Sequence, residues 1–263
     1  MVQILDGKAI AERIREKVKA MVASLSSQPG MAAILVGDDP ASHLYVSLKE
    51  RACAEVGIRF HKFLFAAGVS QAVLINKVQE LNDNPEINGI LVQLPLPTQD
   101  PDAVIAAINP NKDIDGFHQE SLRRLEAGQP GLVSPVALGI MKLIDMVQGE
   151  KRTAVLVCSE LFGRPIRRLL NEQHIDVIEN TKDADIVIVA LGKPRSFMGD
   201  QLKPGAIVID VGTTKTPEGL MGDVDFASAE QVVSAITPVP GGVGPTTVAM
   251  LTLNVVKAYH LQH

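Results

Sequence analysis

The sequence predicts an α/β protein of two lobes, each built on a parallel sheet. Short apolar runs suited to buried strands alternate with longer segments of helical period. Strands joined through helices must cross over, and crossover connections make parallel sheets. A second alternating series begins after a stretch rich in turns and charge, Asn109 to Gly131, which is the candidate domain junction. At 263 residues the chain is long enough for either one large domain or two.

Asp6 is placed to cap a first helix running to about Leu25, with Ile10, Ile14, Val18 and Met21 on one face. Met31 to Val36 reads as a buried strand ending in Gly37-Asp38-Asp39-Pro40. Pro40 and Ser42 then supply start signals for a helix from His43 to Val56, where Leu44, Leu48, Ala52 and Val56 recur at helical spacing and Gly57 marks the stop. Arg59 to Phe65 is a second strand, about Ser70 to Asn82 a helix, and Gly89 to Gln93 a third strand that breaks on Pro95 and Pro97. In the second series, Pro135 to Val147 reads as a helix and Thr153 to Val157 as a strand. Ser159 and Gly163-Arg164-Pro165 lead into a helix from about Ile166 to Glu172, which is the strand-loop-helix shape of a Rossmann-like dinucleotide domain. Strands at Ile186 to Ala190 and Ala206 to Val211 follow, and a helix from Thr246 to Tyr259 ends the pattern.

Composition narrows the function classes. With 46% hydrophobic and 21% charged residues the chain reads as an ordinary globular protein. A net charge of -5 argues against a nucleic-acid binder. Cys53 and Cys158 form no CxxC pair, so neither a disulfide framework nor a cysteine zinc site is indicated, and a reducing, cytoplasmic setting is expected. MVQILDGKAI lacks the basic and apolar regions of a signal peptide, and no run of about 18 apolar residues suggests a membrane span.

Four features offer chemistry. Tyr45 and Lys49, four residues apart in a helix, share one face, so a flat ligand stacking on the ring would lie beside an amine able to move a proton. Taken alone, the pair reads more simply as a packed ring and a solvated lysine. Gln93 ends an apolar strand, where its amide needs partners, either loop backbone or ligand. Asp113 and Asp115 point the same way in extended chain, but no histidine or third acid joins them at ligand spacing, so no metal is expected. Asp115 alone could accept hydrogen bonds from an amino-substituted heterocycle, or cap a turn at Gly116. The string Pro238 to Pro245 is a shaped loop whose backbone can approach a ligand closely, although a rigid turn before a helix needs similar residues. His43 lies near these groups and reads as solvated or packed.

Taken together, GDDPASHLYVSLKERACAEVGI, GILVQLPLP, NKDIDGF, GKPRSFMGDQLKPGAIVIDVG, GDVDF and ITPVPGGVGPTTVAML resemble the bifunctional methylenetetrahydrofolate dehydrogenase/methenyltetrahydrofolate cyclohydrolase family, in the family's order and through nearly the whole chain. The resemblance implies a folate cleft between the lobes. Residues 1–119, joined by the C-terminal helix 246–263 returning to them, would form the folate domain, and residues 120–245 the dinucleotide-binding domain. It implies that Lys49 is the catalytic amine, Gln93 its hydrogen-bonding neighbour, and Asp115 the acid that holds the pterin edge. Tyr45 would stack on the folate, Ser42 would lie beside it, and Pro240, Gly241 and Gly244 would line the cleft. Ser159, Gly163, Pro165, Glu179, Gly192, Gly212 and Thr213 fall on the cofactor side. The partners implied are tetrahydrofolate derivatives and a second copy of the chain in a homodimer.

The departures from the family pattern gather in the second half. The family's PCTP is here Leu132-Val133-Ser134-Pro135, with Gly139 two residues late, and its Val-Gly-Ile-Asn is Val211-Gly212-Thr213-Thr214. Its Gly-Arg-Ser is Val157-Cys158-Ser159, so the arginine that helps to bind the 2′-phosphate of NADP is missing. Glu179 stands near the end of the next strand, where an acid suits a ribose hydroxyl and repels a phosphate. NADP is therefore the family expectation, whereas Cys158 and Glu179 argue for NAD or for a weak site. A stretch before Ala184 is also absent, so the strand preceding Asn180 is expected to be abbreviated or the adenosine side built differently. Two other readings stand beside the bifunctional enzyme: a cyclohydrolase with a degenerate dinucleotide site, and a non-catalytic folate-binding paralogue.

Overall fold

The computed structural model describes residues 2–263. In chain order the elements are β1 (Gln3–Ile4), α1 (Gly7–Ala23), β2 (Gly30–Val36), α2 (Pro40–Val56), β3 (Arg59–Phe65), α3 (Gln71–Asp83), β4 (Gly89–Val92), α4 (Pro101–Ile105), α5 (Gln119–Glu126) and α6 (Pro135–Ile144). They continue with β5 (Thr153–Val157), α7 (Glu160–Glu172), β6 (Asp176–Val177), β7 (Ile186–Val189), β8 (Ile207–Asp210), β9 (Thr214–Thr216), β10 (Gly219–Met221), α8 (Phe226–Ala229), β11 (Ala235–Ile236) and α9 (Val243–Gln262). The chain divides into two compact units, one comprising Glu12–Pro135 with Val248–His263 and the other Val136–Thr247 with the segment through Ala11.

In the first unit a three-stranded parallel sheet runs in the order β3-β2-β4. Its central strand β2 is buried at every position, as a continuous apolar run demands when both faces are covered. Successive side chains of a strand point to opposite faces. Met31, Ala33 and Leu35 accordingly join Val18, Val46, Cys53 and Val56, while Ala32, Ile34 and Val36 join Leu74, Val78 and Ile90. Leu251, Val255 and Val256 of α9 enter the first of these clusters, so the C-terminal helix returns to this unit as expected.

Two boundaries differ from expectation. The stretch from Asn109 to Gly131 holds a strand-like bridge at Asp113 to Ile90 and the helix α5, whose Leu122 is buried, and it belongs wholly to the first unit. The charges of α5 lie away from its buried Leu122 and Leu125, on a short amphipathic helix that in sequence looks like a linker. At the other end of the chain, β1 pairs in parallel with β11, which carries the N-terminal residues into the second unit. Two paired residues give no periodicity to read.

The second unit is a six-stranded sheet in the order β1-β11-β8-β7-β5-β6, parallel at every pairing. β6 and β7 flank β5 on opposite sides, so the strand order reverses between β5 and β7. The carboxyl ends of those two strands are where an open α/β sheet binds its ligand. α7 starts at Glu160, six residues before the expected Ile166, because Ser159 caps it and accepts from the amide of Phe162 at 3.4 Å. Pro165 therefore lies inside the helix, where it forgoes one backbone hydrogen bond. β6 has only two residues, so the abbreviated strand is the outcome observed.

Candidate active site in the first unit

The helix carrying Tyr45 and Lys49 is fixed at both ends. Asp39 caps it by accepting from the amide of Ser42 at 2.8 Å, and Pro40 occupies its first turn. Hydrogen bonding from Ser42 also holds the Asp39 carboxyl below its usual pKa. At the far end Gly57, with φ +86°, takes the left-handed conformation that lets Ile58 donate to the Cys53 carbonyl at 2.8 Å.

The buried face of this helix follows the apolar spacing only in its second half, at Ala52 and Val56. Leu44 is 51% exposed and Leu48 38%, whereas Ser42, Val46, Cys53 and Val56 are buried. Lys49 stands three residues after Val46 and four before Cys53, and so lies on the inward stripe. Burial pushes its amine pKa down, against the opposing pull of Asp115. The solvated-lysine reading therefore fails, because the sequence shows which residues are apolar but not which helix face meets the sheet.

Gln93 follows the last residue of β4, and its amide donates to the Ile34 carbonyl, so it stays anchored to the sheet ladder. Its side chain uses both ends. Oε1 accepts from Lys49 Nζ at 2.8 Å, and Nε2 donates to the Leu94 carbonyl at 2.8 Å. Both ends of the Gln93 amide are thus met by protein groups: the residue pins the loop and accepts from the Lys49 amine.

Asp113 and Asp115 divide their work. Asp113 is buried and accepts from the amides of Gly116 at 3.1 Å and His118 at 2.9 Å and from Ser121 Oγ at 2.7 Å. Burial pushes its pKa up despite those donors. Asp113 is thus the anchor of the turn rather than half of an acid pair. Ile90 pairs in parallel with Asp113 in a single bridge, after which the chain turns and brings Asp115 close enough to Lys49 for their charges to interact. Gly116, with φ +71°, makes the turn tight: a Cβ there would meet the backbone of Val133 and Ser134 within 2.9 Å. Burial raises the Asp115 pKa, Lys49 lowers it and Asp113 raises it. Desolvation thus favours the neutral form of both the amine and the acid, which lets them titrate as a coupled pair.

Ser42 is buried at the start of the same helix, Tyr45 is half-buried one turn before Lys49, and His43 Nε2 lies 3.2 Å from the Gly37 carbonyl. One supporting residue escaped the sequence reading: Asn254 of α9 donates through Nδ2 to the carbonyls of Ile114 at 2.9 Å and Val133 at 2.8 Å, fixing the turn that presents Asp115. An asparagine inside an otherwise apolar helical stretch was the signal available. No group of three or more potential metal ligands occurs among the described residues.

In the second unit, Pro240 and Gly241 lie between β11 and α9, where the Gly241 carbonyl accepts from the amide of Gly7 at 2.9 Å, and Gly244, expected in the loop, lies in the first turn of α9, which starts at Val243 rather than at Thr246. Ser159 lies at the β5 to α7 turn, and Gly192, Gly212 and Thr213 follow β7 and β8. Glu179 is exposed two residues beyond β6. Gly163 and Pro165, expected in a loop, are buried within α7; a Cβ on Gly163 would lie 3.3 Å from Cys158 Sγ, so this glycine serves helix-to-strand packing.

Comparison with known proteins bears on both units. The model of the tetrahydrofolate dehydrogenase/cyclohydrolase catalytic domain matches residues 5–115, and that of the corresponding NAD(P)-binding domain matches residues 134–263. The bifunctional protein FolD of Dechloromonas aromatica is 44% identical over 274 residues, covering 97% of this chain and 96% of the relative. Among solved structures, the bifunctional FolD methylenetetrahydrofolate dehydrogenase/cyclohydrolase of Campylobacter jejuni superposes with a TM-score of 0.93 at 36% identity, covering 100% of both chains. The Trypanosoma brucei dehydrogenase-cyclohydrolase, solved with NADP and an inhibitor, gives a TM-score of 0.90 at 33% identity, covering 99% of this chain and 98% of that one.

Proposed function

Because the chain belongs to the tetrahydrofolate dehydrogenase/cyclohydrolase family, we propose that it oxidises 5,10-methylenetetrahydrofolate to the methenyl compound and hydrolyses that to 10-formyltetrahydrofolate in one-carbon metabolism. The observation that carries the residue assignments is the bond from Lys49 Nζ to Gln93 Oε1 beside Asp115, on a helix face where the amine is desolvated. Full-length similarity to bifunctional relatives, through both domains, disfavours the cyclohydrolase-only and non-catalytic readings.

Lys49 in its neutral form takes a proton from the water that attacks the methenyl carbon and returns one as the ring opens. Gln93 aims the amine without adding a charge that would oppose its reprotonation. Asp115 receives the pterin edge and, when ionised, offsets positive charge on the methenyl carbon. Tyr45 offers its half-buried ring for stacking, and Ser42 closes the same wall. For Pro240, Gly241 and Gly244 the support is the family's Pro-Gly-Gly-Val-Gly pattern.

For the dehydrogenase, the two-residue turn from β5 to α7 presents a helix N-terminus at the sheet's switch point, and Gly192 (φ +66°) lets the β7 loop turn sharply beside it. These features fit a dinucleotide. A nicotinamide, when bound, accepts the hydride from the methylene carbon. The second phosphate of NADP finds less support: Cys158 is an uncharged thiol whose pKa burial pushes up, and Glu160 and Glu179 are acids. NAD is therefore the expected oxidant, with kcat/KM above that for NADP by about tenfold or more. Methylenetetrahydrofolate oxidation measured with each nucleotide tests this; a preference for NADP overturns the reading of Cys158 and Glu179. The same proposal includes a homodimer in the cytoplasm. Unpaired Cys53 and Cys158 suit a reducing compartment, and sedimentation of the purified protein checks the dimer.

A further inference from the structure

Two buried acids in the second unit, Asp210 and Asp223, have no part in the chemistry above. Asp223 is fully buried, and its carboxylate accepts from three consecutive backbone amides: Leu191 at 2.5 Å, Gly192 at 2.9 Å and Lys193 at 2.7 Å. Asp210, at the end of β8, accepts from the amides of Gly212 at 2.9 Å, Asp223 at 3.0 Å and Val224 at 2.9 Å. Its own amide donates to Thr237 Oγ1 at 2.8 Å, tying the group to the neighbouring strand. The approach is close enough to exclude side chains at two glycines. A Cβ on Gly222 would sit 1.9 Å from Asp210 Oδ2, and one on Gly212 would sit 2.3 Å from Asp223 Cγ.

The three segments held this way are the loop after β7, the loop after β8 and the return from β10. The first two leave the carboxyl ends of their strands, and the β7 loop lies at the switch point, where ligands of open α/β sheets bind. Residues 191–196 are exposed, so no hydrophobic packing shapes this loop. Its conformation is set from beneath, by the Asp223 carboxylate. Retaining two adjacent acids there is costly: burial, with Asp223 adding, pushes the Asp210 carboxyl up to about 6.

We propose that Asp223, seated by Asp210, is the positioning residue that preforms the Leu191–Lys193 loop for the dinucleotide, so that the pair sets cofactor affinity without touching substrate. This rests on the bifunctional reading above. In Asp223→Asn the amide nitrogen turns a donor toward the loop donors, and at least one of the three hydrogen bonds is lost.

The test compares wild type with Asp223→Asn, measuring the dissociation constant for NADH by its fluorescence, nucleotide KM in the oxidation, and methenyltetrahydrofolate hydrolysis. The expected result is a rise of about tenfold or more in both nucleotide constants, with hydrolysis within about twofold of wild type. Asp210→Asn should move the nucleotide constants in the same direction by less, because it acts one link further away. Unchanged NADH affinity, or equal proportional losses in both activities, overturns the proposal in favour of simple structural support. Wild type lacking NADH binding and both activities would instead sink the functional reading itself. Should the variants fail to fold, amide hydrogen exchange on wild type without nucleotide decides: the amides of Leu191, Gly192 and Lys193 should be protected, and rapid exchange at all three refutes a preformed loop.

Discussion

Lys49→Ala is expected to lower methenyltetrahydrofolate hydrolysis by about 10²- to 10⁴-fold, the contribution of a positioned general acid–base group. Oxidation of the methylene bridge should suffer less, since hydride transfer delivers no proton to the protein. The substitution removes the proton carrier and leaves Gln93 Oε1 without its donor. In the wild-type enzyme, kcat/KM for hydrolysis should rise with pH through the amine's lowered pKa, because only the neutral amine accepts a proton and burial brings that form within reach below the usual lysine range. Asp115 titrates with it, so the profile reports the pair rather than either group. Lys49→Met, which keeps the stem but cannot titrate, should abolish this rise. Hydrolysis unaffected by Lys49→Ala would defeat the assignment.

Asp113→Ala is expected to carry the largest stability cost, about 3 kcal/mol, because three donors lose a buried acceptor at once. For a protein of this size that is roughly 6–12 °C in thermal midpoint. The pH sign distinguishes acceptor geometry from charge. Asp113 has a raised folded pKa, so ionisation within the fold opposes stability: its pH-linked contribution is complete below the unfolded value and lost as pH rises through the folded one. The turn is therefore held by hydrogen-bond geometry rather than by the carboxylate charge. Because that turn presents Asp115, the KM for folate should rise together with the loss of stability. A variant that melts with wild type and keeps its KM would show that Asn254 and the Ile90 pairing suffice.

Much of this was legible in the sequence because it depends on local rules. The apolar runs of β2 and β4, the cap at Asp6 and the stop at Gly57 follow from periodicity and backbone preference, and they appear where expected. Other short elements were not legible: β11 and the β9–β10 hairpin have two or three residues per strand, too few to show a sustained alternation. The early start of α7 was hidden by Pro165, since a proline inside a helix reads as a boundary even where a good cap precedes it.

By itself, the sequence determined the alternating α/β plan and the family, and it supplied the residues proposed for the folate side. Only the tertiary structure decided their physical states. Whether Lys49 is a solvated cation or a desolvated amine depends on which face of its helix meets β2, and of the apolar stripe only Ala52 and Val56 mark that face, while Leu44 and Leu48 near Lys49 are exposed. Whether an acid is half of a metal pair, a turn anchor or a loop brace depends on which backbone amides reach it: those at Asp113 come from the turn that follows it, those at Asp223 from Leu191, Gly192 and Lys193, distant in the chain. Burial and hydrogen bonding are properties of what surrounds a residue, and the surroundings of Lys49, Asp113 and Asp223 are assembled only when the chain folds.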